Sequence, residues 1–191
     1  MTVAEFGPPG ATGFYDEAMT WTAPEVAREP MPRAGDERAM LDGLLDLHRL
    51  TLLHKCAGLT AEQLAARSAE PSGLSLLGLL RHMTDVERGW FRRGFARQVA
   101  APLYSAGENP DGDFDDADAA AAEQDMAAYQ REVELVRAAV AGHALDETLP
   151  PRSGRADISL RWIYLHLIGE YARHNGHADL LRERIDGATG Q

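Results

Sequence analysis

The segment His166-Leu-Ile-Gly-Glu170-Tyr-Ala-Arg-His174-Asn-Gly-His177 sets four potential metal ligands at offsets of four, four and three. In a helix those offsets put all four side chains along one side. The stripe abuts Leu167, Leu180 and Leu181, so it runs near the buried side, where an ionised Glu170 is costly without a positive partner. A divalent cation is such a partner. One helix supplies a pair of ligands, and a third has to come from a neighbouring helix; His82, in Leu79-Leu80-Arg81-His82-Met83, is flanked by core-type residues and is the best candidate. Two imidazoles and one carboxylate are the donor set of catalytic zinc and related first-row ions when one coordination position stays open. The plainer alternative is that these are core or surface residues, the commoner fate of a lone helix histidine. His48, His54 and His143 have no partner at ligand spacing and read as exposed or structural. Asp85, three residues after His82, is either an acceptor that orients that imidazole or a plain surface carboxylate.

Other chemistries have less to stand on. Cys56 is the only cysteine, which excludes an intramolecular disulfide and a CxxC zinc site. It closes a leucine-rich helix, and its nearest histidine, His54, is two residues away and points elsewhere. A buried structural thiol is the expectation. A di-iron bundle needs Glu-x-x-His on two helices and two further Glu, and the chain has no such pair.

The elements that must position these residues are all helical. Residues 1–35 carry Pro8, Pro9, Gly10, Gly13, Pro24, Pro30, Pro32 and Gly35, breakers that argue for an irregular leader. Phe14, Tyr15 and Trp21 would let part of it pack on the rest; a frayed tail is the alternative. A first helix is expected from Asp36 to about Gly58, with Met40, Leu41, Leu44, Leu45, Leu47, Leu52 and Leu53 at mostly helical spacing. Thr60 with Gln63 matches a capping box, so a short helical turn should follow. A second helix runs over Ser72–Arg97, a third from about Ala117 to Ala144, ended by Pro150, Pro151 and Gly154, and a fourth from near Ser159 to about Ile185, stopped by Gly187. Between Ala100 and Asp118 the Gly, Pro and Asp content marks a long exposed loop able to flank a site entrance. Four long helices without a convincing alternating strand give one all-α domain over 36–188, a four-helix bundle, and such bundles build metal sites in their cores. The long connections permit a non-simple topology.

At 191 residues and 45% hydrophobic the chain can bury one good core. Its net charge of -11 repels phosphate backbones and anionic lipid, which argues against nucleic-acid and membrane partners. Met1–Phe14 lacks a basic region followed by an apolar one, and no window reaches the roughly 18 apolar residues of a membrane span. A reducing cytoplasm suits these features. An apolar face on the first helix or the leader would support a homodimer.

Several phrases, read whole, resemble one family: Gly35-Asp-Glu-Arg38, Lys55-Cys-Ala-Gly-Leu-Thr60, Pro71-Ser-Gly-Leu-Ser-Leu-Leu-Gly78, Arg81-His-Met83, and above all Ser159-Leu-Arg-Trp162 followed by Glu170-Tyr-Ala-Arg-His174-Asn-Gly-His177. They fall in the order and spacing of the DinB-like superfamily, in its branch of mini-circle proteins of unknown function, across roughly residues 35–188. The resemblance implies a DinB-like four-helix bundle with a metal on one His of the second helix and a pair four apart on the fourth. His82, Glu170 and His174 match those positions. Many DinB-like proteins have His where this chain has Glu170, and His-Glu-His is similar to the mycothiol-dependent maleylpyruvate isomerases. The resemblance therefore points to a metal-dependent S-transferase or isomerase that uses mycothiol or a related thiol on a small electrophile. Zinc, nickel and iron all accept the ligand set. His177 reads as an outer contact to the ligands or a substrate contact, and Arg173 and Arg182 as anchors for the thiol or as surface ion-pair residues. Metal-assisted hydrolysis, with His177 or Asp85 as base, and a non-catalytic metal- or ligand-binding bundle are the alternatives.

Overall fold

The structure, a computed structural model, describes residues 20–28, 30–149 and 157–190. Each main helix starts where the sequence supplies an oxygen for its orphan N–H groups. Asp36 accepts from the Ala39 N–H at 2.8 Å and opens α1, Glu37–Cys56. At Thr60 the capping box closes both ways, Gln63 N–H to Thr60 Oγ1 and Thr60 N–H to Gln63 Oε1, and starts the short α2, Ala61–Ala65. Ser75 caps α3, Leu76–Glu87. The second expected helix therefore starts four residues late, because the hydroxyl able to cap is Ser75. That helix also changes pitch: Arg88–Phe95 continues α3 as a π-helical segment, whose i→i+5 bonds widen the turn.

The expected loop after it holds a small helix, α4, Gly112–Asp115, and a 3₁₀ turn at Ala119–Ala121 leads into α5, Ala122–Val140. Ser159 caps α6, Leu160–Asp186, and Gly187 ends it in the left-handed region at φ 78°, a conformation that suits glycine. Pro150, Pro151 and Gly154, expected to end the third helix, lie outside the described residues, as do Phe14 and Tyr15. The described part of the leader packs: Thr22 bridges Thr60, the Ala23 N–H donates to Leu59 O at 2.9 Å, and Trp21 and Val26 lie against the core. No strand forms among the described residues, in keeping with the all-α expectation.

Side-chain pairs fix the helix directions. Along α1 and α6, Glu37 meets Arg161, Asp42 meets Tyr164, and the Lys55 carbonyl meets Arg182, so these two run parallel. Arg81 meets Asp125 and Arg88 meets Glu132, so α3 and α5 are parallel as well. His82 lies by His174 and Trp90 by His166, which sets α3 antiparallel to α6. Two parallel pairs opposed to one another require a long return from the end of α3 to the start of α5. Residues 96–118 make that crossover and are held along α3, where Arg88 donates to the Ala101 carbonyl, Asp85 accepts from the N–H groups of residues 103–105, and Arg81 donates to the Gly112 carbonyl.

The core is Leu41, Leu45, Leu52 and Leu53 of α1, Leu76, Leu77, Leu79, Leu80 and Met83 of α3, Met126, Tyr129 and Val136 of α5, and Ile163, Leu167 and Leu181 of α6. At about 25 cal/mol per Å² of apolar surface, burying each such side chain contributes about 1.5–3 kcal/mol. Inside it lies a polar network drawn from all four long helices. Arg49 of α1 grips Glu87 of α3 through Nε and Nη2, both at 2.7 Å, while Tyr171 of α6 donates to the same Glu87 at 2.9 Å and shares a hydrogen bond with Tyr129 of α5 at 2.9 Å.

Candidate metal centre

His82 emerges from α3 between two buried neighbours, Arg81 and Met83, so its ring leaves on the side facing α6. Its Nδ1 is 2.7 Å from Oδ2 of the buried Asp113, and its ring stacks on Phe114 at 5.2 Å between centroids. Both partners belong to α4. The little helix can approach because α3 carries Gly78 beneath it: a Cβ there would sit 2.8 Å from the Phe114 ring. Arg81 clamps α4 from the other side, donating to the Gly112 carbonyl at 2.9 Å and to Asp125 at 3.2 Å, with its guanidinium 4.3 Å from the Tyr104 ring centroid. With Nδ1 turned to the Asp113 carboxylate, Nε2 is the ring nitrogen of His82 left for another partner.

Glu170 and His174 face this nitrogen from α6. His174 Nε2 lies 3.6 Å from Glu170 Oε2, and the His82 and His174 rings are 4.8 Å apart. One donor atom from each of His82, Glu170 and His174 falls within a common span of 4.8 Å, the only such group of three among the described residues. Burial pushes the His174 imidazole down to about 4, and the neighbouring His82 and His177 add to that. His174 is therefore neutral near pH 7 with a lone pair to give. A carboxylate, two imidazoles and a second carboxylate behind one of them make the donor set and the backing of a three-ligand divalent site. The residues present fit such an ion.

The other site residues read from the sequence are placed as follows. His177 follows His174 on α6, with its Nδ1 3.4 Å from Nδ1 of His174. Arg173 lies along Glu170, 3.3 Å from Oε2, and is largely exposed. Arg182 is not brought to this cluster: its Nη1 donates to the carbonyls of Lys55 and Ala57, and its Nε and Nη2 hold Asp186. Asp85 does not orient His82. It faces the crossover, accepting the N–H groups of Leu103, Tyr104 and Ser105 and the Ser105 hydroxyl. The orienting carboxylate is Asp113, which the sequence reading missed. His166 stands one turn before Glu170 outside the triad, stacked on Trp162. Asn175 donates to the His48 carbonyl, and His143 pairs with Glu147, so both histidines sit in structural contacts. Cys56 is fully buried, its thiol pushed up to about 12 by desolvation, which leaves it unreactive near neutral pH.

The family model described as mycothiol-S-transferase matches residues 40–187. The chain belongs to that family. The match takes in α2 to α6 and all but the first turn of α1, with His82, Glu170 and His174 inside it, and leaves the leader out. No curated protein and no solved structure matches the chain. The mycothiol-S-transferase family and the three-donor cluster bear on one another, since a thiol transferase has to make a sulfur nucleophilic at neutral pH, and the buried Cys56 cannot serve.

Proposed function

We propose that this protein is a metal-dependent S-transferase that joins mycothiol, or a closely related low-molecular-weight thiol, to a small electrophile. His82, Glu170 and His174 hold one divalent ion, with zinc the first choice and nickel or iron suited to the same donors. The observation that carries the reading is the convergence of these three donors from two helices in a chain of the mycothiol-S-transferase family. A divalent ion bound by one carboxylate and two imidazoles would leave the site a net charge of about +1 and would lower the pKa of a thiol held there from its usual value of about 8.5.

The chain's own residues do the rest. Asp113 keeps the proton of His82 on Nδ1 and the ring in place. Arg173 lies along Glu170 and steadies its carboxylate. His177, against His174 on α6, would take the proton that leaves the thiol. In the transfer, sulfur forms the new C–S bond. The leaving group departs with its electron pair, or, in an addition, the adjacent carbon takes a proton. Hydrolysis loses one of its two candidate bases, since the carboxylate of Asp85 is taken up by residues 103–105.

The test is the metal content of protein purified without a histidine tag, compared with His82→Ala and His174→Ala. About one equivalent in the wild type, lost in both variants, is expected. Zinc-loaded wild type should then form a conjugate from mycothiol and a bimane above background. A wild type that takes up no metal after reloading would overturn the assignment, and metal without turnover would leave a binding bundle.

A further inference from the structure

Past the three donors, toward the start of α6, the side chains that meet between α6 and the π-helical continuation of α3 are aromatic. The α6 stripe read backwards from Glu170 gives His166 one turn away and Trp162 one turn further, about 6 and 12 Å along the axis. Their rings stack with centroids 4.8 Å apart and planes 14° from parallel. From α3, Trp90 meets both, 4.7 Å from His166 and 5.3 Å from Trp162. Trp90 comes from the π-helical stretch, where each residue turns through a smaller angle than in an α-helix. Eight residues after His82, that slower rotation keeps Trp90 closer to the α6-facing side than an α-helix would.

These rings are not sealed in the core. Trp162 is 44% exposed, and Leu165 beside it 56% exposed. Large apolar side chains left in solvent are ordinary one at a time; a stacked Trp162–His166 pair with Trp90 tilted against both, one to two helical turns from a metal-type donor cluster, is not. The parallel Trp162 and His166 rings already show the geometry in which a further flat ring adds to a stack.

We infer that Trp90, Trp162 and His166 form a shelf that binds the planar, apolar part of the electrophile, selecting aromatic or conjugated electrophiles over small aliphatic ones. This rests on the S-transferase reading above. The electrophile is the fitting occupant, because ring faces reward a flat apolar group, whereas a polyhydroxylated thiol would need hydrogen-bonding groups along its length. A reactive carbon on such a group would lie within a helical turn or two of the donors, on the side of Glu170 away from His177.

The test compares 1-chloro-2,4-dinitrobenzene with iodoacetamide as electrophiles for zinc-loaded wild type, Trp162→Ala and Trp162→Phe. The half-exposed position lets both variants fold, which circular dichroism melts would check. The selectivity for the aromatic electrophile, as a ratio of kcat/KM values, should fall about tenfold in Trp162→Ala and largely recover in Trp162→Phe. The KM for the thiol should stay within about twofold. An unchanged ratio would overturn the shelf, and so would a rise in the thiol KM in place of the selectivity loss, since the rings would then hold the thiol. If wild type conjugates neither electrophile, the S-transferase reading fails by itself. The shelf is then judged by titrating the unreactive planar probe 2-naphthol: binding about tenfold weaker in Trp162→Ala supports it, and equal binding overturns it.

Discussion

A histidine can offer a metal only one nitrogen at a time, and what holds the other decides how firmly the ring is aimed. For His82 that holder is Asp113, whose carboxylate is almost fully buried and 2.7 Å from Nδ1. Removing such a partner weakens metal binding about 10- to 100-fold in known sites, so Asp113→Ala should do the same for zinc. Asp113→Asn, which keeps an acceptor oxygen, should lose less. Competition against a chromophoric chelator measures both, and an affinity equal to wild type in Asp113→Ala would assign Asp113 to the fold alone. The residue-level chemistry was unevenly legible. Glu170 and His174 declare themselves by their spacing, and His82 by its core-type neighbours. Asp113 has no such mark: it is one of several carboxylates among Asp111, Asp113, Asp115, Asp116 and Asp118, and no periodicity says which one turns inward. Only the approach of α4 to α3 over Gly78 selects it.

At the scale of elements, the arrangement of α1, α3, α5 and α6 depends on charges inside the core. The side chains of Arg49 and Glu87 are 6% and 0% exposed and bound to one another twice. A buried pair of this kind is weak evidence for net stability but costly to break one-sidedly, about 3–5 kcal/mol. Arg49→Met alone should therefore lower the urea-unfolding free energy by about that amount, and the double variant Arg49→Met, Glu87→Leu by clearly less. A single variant within about 1 kcal/mol of wild type would show Tyr171 alone able to satisfy Glu87. The helices themselves were legible because their ends carry oxygens: Asp36, Thr60 and Ser159 cap where their types and positions suggest. The change of α3 into a π-helical segment was not, since its eight residues are too few to establish a second period in the apolar pattern. Nor was α4, whose four residues are too few for a period.

For the molecule as a whole, the question is what a bound ion would add to a chain of net charge -11. Self-repulsion among excess acidic groups opposes the compact state, so any added cation stabilises it somewhat by screening, to a degree set by the ionic strength. A site built from α3 and α6 acts differently. Its donors come together only when the two helices pack, so an ion bound there adds RT ln(1 + [L]/Kd) to stability, about 2.7 kcal/mol at 100-fold excess over Kd. For a chain of this length that corresponds to a rise in Tm of about 5–10 °C. Zinc should thus raise the Tm of metal-stripped protein by several degrees and saturate near one equivalent, EDTA should reverse the rise, and His82→Ala should not show it. Magnesium at matched ionic strength is the control, since it prefers all-oxygen coordination and reports screening alone. Equal shifts with magnesium and zinc, or a zinc shift that survives in His82→Ala, would trace the stabilisation to the acidic surface and not to His82, Glu170 and His174.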